Sequence, residues 1–253
     1  MVTDLGLQGK RVIVTGAAGG LGRAFALAFA GAGAKVLVAD INAGGLGETS
    51  ELVRAAGGTA HTAAVDVTST DSCRALASTA QEAMGGVDVL VNNAALYGGL
   101  ERRHHFDIEE GVWDKVMAVN VKGVWQMSRA VAPLMKTAGG SIINIASATV
   151  FSGSPQWMHY VASKGAVIAM SRVMAKELGG DNIRVNVIAP GFVLTEASLA
   201  QIEDAKTYGV DRAALKRNAE VEDITGAALY LGSPLSSFQT GQTLIVDGGK
   251  QFI

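Results

Sequence analysis

Four polar residues stand in an order that suits proton chemistry on an oxygen: Asn120, Ser147, Tyr160 and Lys164. Tyr160 and Lys164 are four residues apart, so on a helix their side chains share a face. A free phenol has a pKa of about 10, and use as a base near neutrality needs a lowering of roughly 3 units, about 4 kcal/mol. A neighbouring ammonium favours the phenolate, and Lys164 is placed to supply it. Ser147 directly follows the apolar run 141–146, thirteen residues before Tyr160. A hydroxyl at the carboxyl end of a strand is well placed to hold a substrate oxygen. This set can exchange a proton with an alcohol or a carbonyl, but oxidation or reduction also needs a hydride carrier.

A seat for such a carrier lies upstream. Gly16-x-x-x-Gly20-x-Gly22, with Leu21 between the last two glycines, separates an apolar run from an Ala-rich helix. Small residues there let the backbone approach a pyrophosphate at the helix N-terminus. Asp40 closes the next apolar run, 18 residues beyond Gly22. A carboxylate at that strand tip accepts hydrogen bonds from ribose hydroxyls and repels a 2′-phosphate, which favours NAD over NADP. Ile41-Asn42 offers no cation to reverse the choice, and Arg23 lies beyond the glycines. Asp66-Val67 and Asn93-Ala94 end the third and fourth runs, where an adenine ring could meet a carboxylate and backbone groups.

The elements that must position these groups are legible as a rhythm. Apolar runs recur at 11–15, 35–39, 60–65, 87–91, 140–145, 184–188 and 243–246. Seven short runs separated by longer segments predict repeated βα units, hence an α/β fold with a mostly parallel sheet covered by helices on both faces. Helices are expected at 22–32, 71–84, 108–135 and 160–178, the second between Thr68-Ser69-Thr70 and Gly85-Gly86. Residues 192–218, after Pro190-Gly191, are mixed in charge and weakly periodic; such a late insertion reads as a lid over a ligand crevice.

Composition narrows the classes. The chain has 253 residues, a formal net charge of −2, 49% hydrophobic residues and one cysteine, Cys73. Without a basic field, nucleic acid is not an expected partner. A lone cysteine fits a reducing, cytoplasmic setting. The N-terminus lacks the pattern of a signal peptide. The apolar stretch 24–39 is broken by Gly31, Gly33 and Lys35, so it reads as a buried helix running into a buried strand rather than a membrane span. His104-His105 and His159 have no third ligand at metal-like spacing, so no metal is expected, although His159 could touch substrate. Val150, Phe151, Trp157 and Met158, with Leu96-Tyr97, suit a pocket for a ring or a short aliphatic ketone.

From Gly9-Lys10 to Asp247-Gly248-Gly249 the chain resembles the short-chain dehydrogenase/reductase family. The resemblance implies a single doubly wound Rossmann domain over residues 1–253, with a seven-stranded parallel sheet, assembled as a homotetramer or homodimer. It implies that Gly16, Gly20, Leu21 and Gly22 cradle the pyrophosphate, that Asp40 holds the adenosine ribose, and that Asp66, Val67, Asn93 and Ala94 line the adenine side. Val193 and Thr195, within Pro190 to Thr195, resemble the segment that grips the nicotinamide amide. Tyr160 would exchange the proton and Ser147 would hold the substrate oxygen. Lys164 would bind the nicotinamide ribose, and Asn120 would position a water linking Lys164 to solvent. Ala95 stands where the family usually has Gly, and Val221 where many members have Pro. The expected activity is hydride transfer between a small secondary alcohol, cyclic or aromatic, and its ketone, with NAD. Two alternatives stay open: an acyl-thioester ketoreductase on the same frame, and a catalytically silent dinucleotide-binding sensor or scaffold.

Overall fold

The computed structural model describes residues 4–252. In chain order the elements are β1 (Arg11–Thr15), α1 (Gly20–Gly31), β2 (Lys35–Asp40), α2 (Ala43–Ala55), β3 (Thr59–Ala64), α3 (Thr70–Met84) and β4 (Val89–Asn92). Then come α4 (Glu110–Met117), α5 (Gly123–Met135), β5 (Gly140–Ile145), α6 (Thr149–Ser152), α7 (Met158–Leu178), β6 (Ile183–Pro190), α8 (Glu196–Gln201), α9 (Val221–Gly232) and β7 (Thr243–Val246). All seven strands pair in parallel, in the order β3-β2-β1-β4-β5-β6-β7. The order reverses between β1 and β4, and a doubly wound sheet opens its binding crevice at that point, outside the strand carboxyl ends.

The continuous apolar runs follow from burial on both faces. Val12, Val14, Val36, Val38, Val89 and Val91 point into a layer with Phe25 and Phe29 of α1 and Ile224 and Leu231 of α9. Their sequence neighbours Ile13, Leu37 and Leu90, together with Ile142 of β5, point the other way onto Leu76 of α3 and Met127, Val131 and Met135 of α5. A strand whose alternate residues both meet helices cannot show polar alternation. The stretch 24–39 is helix, turn and strand as its glycines require, and no described helix is long and apolar enough to cross a membrane.

Several expectations change in detail. The strands stand within two residues of the apolar runs, with β6 extended at both ends. The helix expected over 108–135 is α4 and α5 joined by a π turn at Ala118–Lys122, which contains Asn120. Four helices lacked a sequence expectation: the short α6 and α8, and the longer α2 and α9. In α2, Gly44, Gly45 and Gly47 depress helix propensity. Gly45 is there because a Cβ would stand 2.7 Å from the Ala18 side chain and carbonyl. The start of α9 is held by a reciprocal cap between Glu220 and Asp223. Within 192–218 the structure has α8, a short 3₁₀ turn at Val210–Arg212 and otherwise irregular chain, closed at its base by a parallel bridge from Val193 to Ala219.

Candidate active site

The carboxyl ends of β1, β4, β5 and β6 open into a cavity of about 1150 Å³. Its floor begins at the turn after β1. Gly16 adopts a left-handed φ of 66°, and the Thr15 and Gly16 carbonyls accept hydrogen bonds from Asn93 Nδ2, each at 3.0 Å. Thr15 Oγ1 in turn accepts the N–H groups of Asn93 and Ala94, each at 3.1 Å. Asn93 lines the cavity while its amide pins the glycine turn. Gly20 and Leu21 line it as well; Gly22 packs behind, where a Cβ would stand 1.9 Å from the Gly16 carbonyl oxygen.

The first turn of α1 has no side-chain cap and no acidic residue. Its free N–H groups and the positive end of the helix dipole therefore face the cavity beside Gly19 and Gly20, a donor set that suits a pyrophosphate. Asp40, half-buried at the tip of β2, accepts the Ala18 N–H at 3.0 Å and the Asn42 N–H at 2.9 Å. Arg23 also lines the cavity, ion-paired to Glu48 at 2.8 Å and donating to the Ala18 carbonyl. Asp66 binds Thr68 through its Oδ1, and Val67 is buried behind α3 and α5, so neither stands among the cavity-lining residues.

The opposite wall carries the reactive groups. Tyr160, Ser163 and Lys164 share one face of α7, and Tyr160, Lys164 and Ser147 line the cavity. Lys164 Nζ donates to the Ile145 carbonyl at 2.8 Å and stands 5.7 Å from the Tyr160 ring centre. Ser147 Oγ accepts from Thr149 Oγ1 at 2.9 Å. Asn120 is fully buried in the π turn. Its Oδ1 accepts the Leu96 N–H at 2.7 Å and its Nδ2 donates to Ser163 Oγ at 3.1 Å, tying the β4 loop to α7. A buried network, unforeseen from sequence, locks the same layer: Asn92 donates to Ser128 and Asn144, and Asn144 to Ser171. Thr195 caps α8 through its hydroxyl and, with Val193, lines the cavity.

Burial sets the electrostatics. The Tyr160 phenol is raised above its ordinary value by desolvation, with Tyr97 adding to the rise and Ser147 opposing it. Lys164 is pushed down to about 8 by desolvation. Adjacency to Lys164 was expected to lower the phenol; in this dry wall, desolvation wins. Between pH of about 8 and the ordinary 10.5 the unfolded chain binds a proton at Lys164 that the folded chain does not. Stability therefore rises with pH across that window, relative to a Lys164→Met variant that lacks the titration. Denaturant unfolding of both proteins at about pH 7.5 and about pH 9.5 checks this; an identical response would show that Lys164 is not desolvated.

The apolar residues divide. Tyr97 and Trp157 line the cavity, with ring centres 5.7 and 5.0 Å from that of Tyr160. Val150 and Phe151 instead pack on Val124, Val167 and Ile168, and Met158 is half exposed elsewhere. His159 is buried and absent from the cavity wall, so it does not reach a substrate there. His104 and His105 stack with Phe106 in an exposed loop.

Known proteins resemble this chain in sequence and fold. A family model described as Enoyl-(Acyl carrier protein) reductase matches residues 16–251. A 3-oxoacyl-acyl-carrier-protein reductase of Thermotoga maritima is 38% identical, over 96% of this chain and 98% of its own. The 7alpha-hydroxysteroid dehydrogenase of Escherichia coli K12 is also 38% identical, over 97% of this chain and 96% of its own. A solved structure of a 7alpha-hydroxysteroid dehydrogenase complexed with NADH and 7-oxo glycochenodeoxycholic acid superposes with a TM-score of 0.91 at 38% identity, covering 97% of this chain and 96% of that one.

Proposed function

This chain belongs to the short-chain dehydrogenase/reductase family, and we propose that it works as an NAD-dependent oxidoreductase, moving hydride between a small cyclic or aromatic secondary alcohol and its ketone. One observation carries the reading: Tyr160, Ser147 and Lys164 line the same cavity as the uncapped N-terminus of α1.

The N–H groups at Gly20, Leu21 and Gly22 bind the pyrophosphate, Asp40 the adenosine ribose, and Asn93 and Ala94 border the adenine, while Asp66 and Val67 stand back from the cavity and do not touch it. Val193 and Thr195 hold the carboxamide end, and Lys164 the nicotinamide ribose. A bound nicotinamide supplies a hydride acceptor or donor at C4 and, when oxidised, a positive charge. Ser147 Oγ donates to the substrate oxygen and fixes it beside the Tyr160 hydroxyl. In ketone reduction the neutral phenol, which burial favours, gives its proton to the developing alkoxide. In alcohol oxidation the phenolate takes the hydroxyl proton, stabilised by the Lys164 ammonium. Asn120 positions the water through which Lys164 exchanges protons with solvent. The segment 192–218 closes over the substrate, and the protein acts in the cytoplasm as a homotetramer or homodimer.

Fluorescence titration with NADH and NADPH, followed by a screen of secondary alcohols at the absorbance of reduced nicotinamide, tests the reading. Binding of neither cofactor would overturn it. NADH binding without turnover across the panel would favour a silent sensor. The likeness to a 3-oxoacyl reductase supports a second reading, an acyl-thioester ketoreductase; preference for an acetoacetyl thioester and NADPH would select it.

Asp40→Ala is expected to raise the NADP/NAD ratio of kcat/KM by roughly tenfold or more, since a carboxylate facing a phosphate costs more than about 1.4 kcal/mol. Because Asp40 also holds two backbone N–H groups, Asp40→Asn is the companion variant, retaining an acceptor without the charge. An unchanged ratio in both would show that Asp40 does not discriminate.

A further inference from the structure

Away from the glycine turn, the cavity wall changes character. Arg102, Arg212 and Lys250 come from three separate stretches of chain and line the same cavity as Tyr208, with Arg212 close enough for its charge to act on Lys250. The Arg102 guanidinium lies 5.3 Å from the Tyr208 ring centre and donates to the Tyr208 hydroxyl at 3.0 Å. Lys250 Nζ lies 5.9 Å from the same ring centre. It fits there because Gly209, at a left-handed φ of 68°, has no side chain; a Cβ would stand 2.6 Å from the ammonium nitrogen. Arg102 also covers the Trp157 ring at 5.3 Å, and Trp157 packs edge-on against Tyr160. The cations and the reactive phenol thus sit on one aromatic wall.

These charges lack an ion-pair partner among the described residues: none of the three is within ion-pair distance of a carboxylate. Asp211 and Asp247 act on Lys250 from farther away, and the Asp247 carboxylate is engaged by the N–H groups of Gly249, Lys250 and Gln251. The two acidic residues that line the cavity, Glu48 and Glu196, belong to its other end: Glu48 is paired with Arg23, and Glu196 Oε2 lies near Gly20. Like charges gathered at an aromatic-walled mouth raise the local concentration of a counter-ion and hold it by charge-assisted hydrogen bonds.

We propose that the substrate carries a carboxylate remote from its reacting carbon, and that Arg102, Arg212 and Lys250 bind it while Tyr97 and Trp157 pack on the ring between. This rests on the dehydrogenase reading and names the substrate class within it: hydroxy acids and oxo acids whose anion is separated from the carbinol or ketone by a ring or an equivalent chain.

Calorimetry separates the two ideas. The matched probes are 4-acetylbenzoate and its neutral isostere 4-acetylbenzamide, titrated into protein saturated with NAD, whose oxidised nicotinamide cannot reduce the ketone during the titration. The benzoate is expected to bind about tenfold more tightly, the scale of a charge-assisted pair at a partly open mouth. Arg102→Gln combined with Lys250→Gln should bring its affinity down to that of the amide, and Arg212→Gln alone should do so in part. All three side chains are at the cavity mouth, and the NADH titration of each variant verifies its fold. Equal affinities in the wild type, or a preference undiminished in the double variant, would overturn the inference. Failure of NADH itself to bind would overturn the dinucleotide reading instead, and the two probes are then compared on the free protein.

Discussion

Tyr160→Phe is expected to lower kcat by roughly 10²–10⁴-fold, the usual range for loss of a positioned acid/base, while NADH affinity stays at the wild-type level. The substitution keeps the ring that packs 5.0 Å from Trp157 and 5.7 Å from Tyr97. It removes only the hydroxyl, so the wall and the cavity shape persist. Thermal stability should stay near the wild-type value, because removing the neutral hydroxyl gives up one hydrogen bond, with Ser147, and leaves the packed ring in place. Steady-state rates in both directions, with a fluorescence titration of NADH, check the prediction. Turnover comparable to the wild type would remove Tyr160 from the proton-transfer step; a parallel loss of NADH binding would mean that the phenol supports the cofactor rather than the chemistry.

The second large effect separates two glycines of one turn, Gly22 of the motif and its neighbour Gly19. At Gly22 a Cβ would lie 1.9 Å from the Gly16 carbonyl oxygen and 2.7 Å from Asn93 Nδ2. Both are fixed: the turn is pinned by the hydrogen bonds of Asn93. Gly22→Ala must therefore push α1 away from the turn, at a cost of about 3 kcal/mol, the upper part of the overpacking range. For a chain of this size that is a fall of roughly 6–12 °C in Tm, with NADH binding lost as the turn opens. Gly19 is the opposite case. Its φ of −170° is extended backbone that any residue adopts, and a Cβ would meet nothing within 4 Å. Gly19→Ala should leave Tm unchanged and weaken NADH by roughly tenfold, about 1.4 kcal/mol, because its open side is the cavity itself. Differential scanning calorimetry and NADH titration of the pair distinguish the roles. Wild-type NADH affinity in Gly19→Ala would show that the pyrophosphate does not lie there, and a stable Gly22→Ala would show that the turn can relax.

Local signals carried the parts of the site that depend on neighbours in sequence. Tyr160 and Lys164 share a face because a helix repeats every 3.6 residues, and Ser147 follows its strand by two residues. The turn at Gly16 needed a left-handed glycine, which the sequence displays. By contrast, α2 was hidden by three glycines, of which Gly45 is retained for a close approach to Ala18 in the turn after β1. The π turn around Asn120 was not legible either, since its side chain is held by Leu96 and Ser163 from separate segments.

By itself, the order of residues determined the parallel α/β frame, the glycine turn and the chemical identity of the reacting groups, because strand burial and helix period are short-range regularities. The tertiary structure alone decided what those groups experience. It placed Tyr160 in a desolvated wall that favours the neutral phenol, buried His159, and sent Phe151 into a separate core cluster. It also gathered Arg102 and Lys250 around Tyr208, with Arg212 in the same cavity wall. Desolvation and through-space charge depend on which distant segments meet, and no spacing within one segment encodes that.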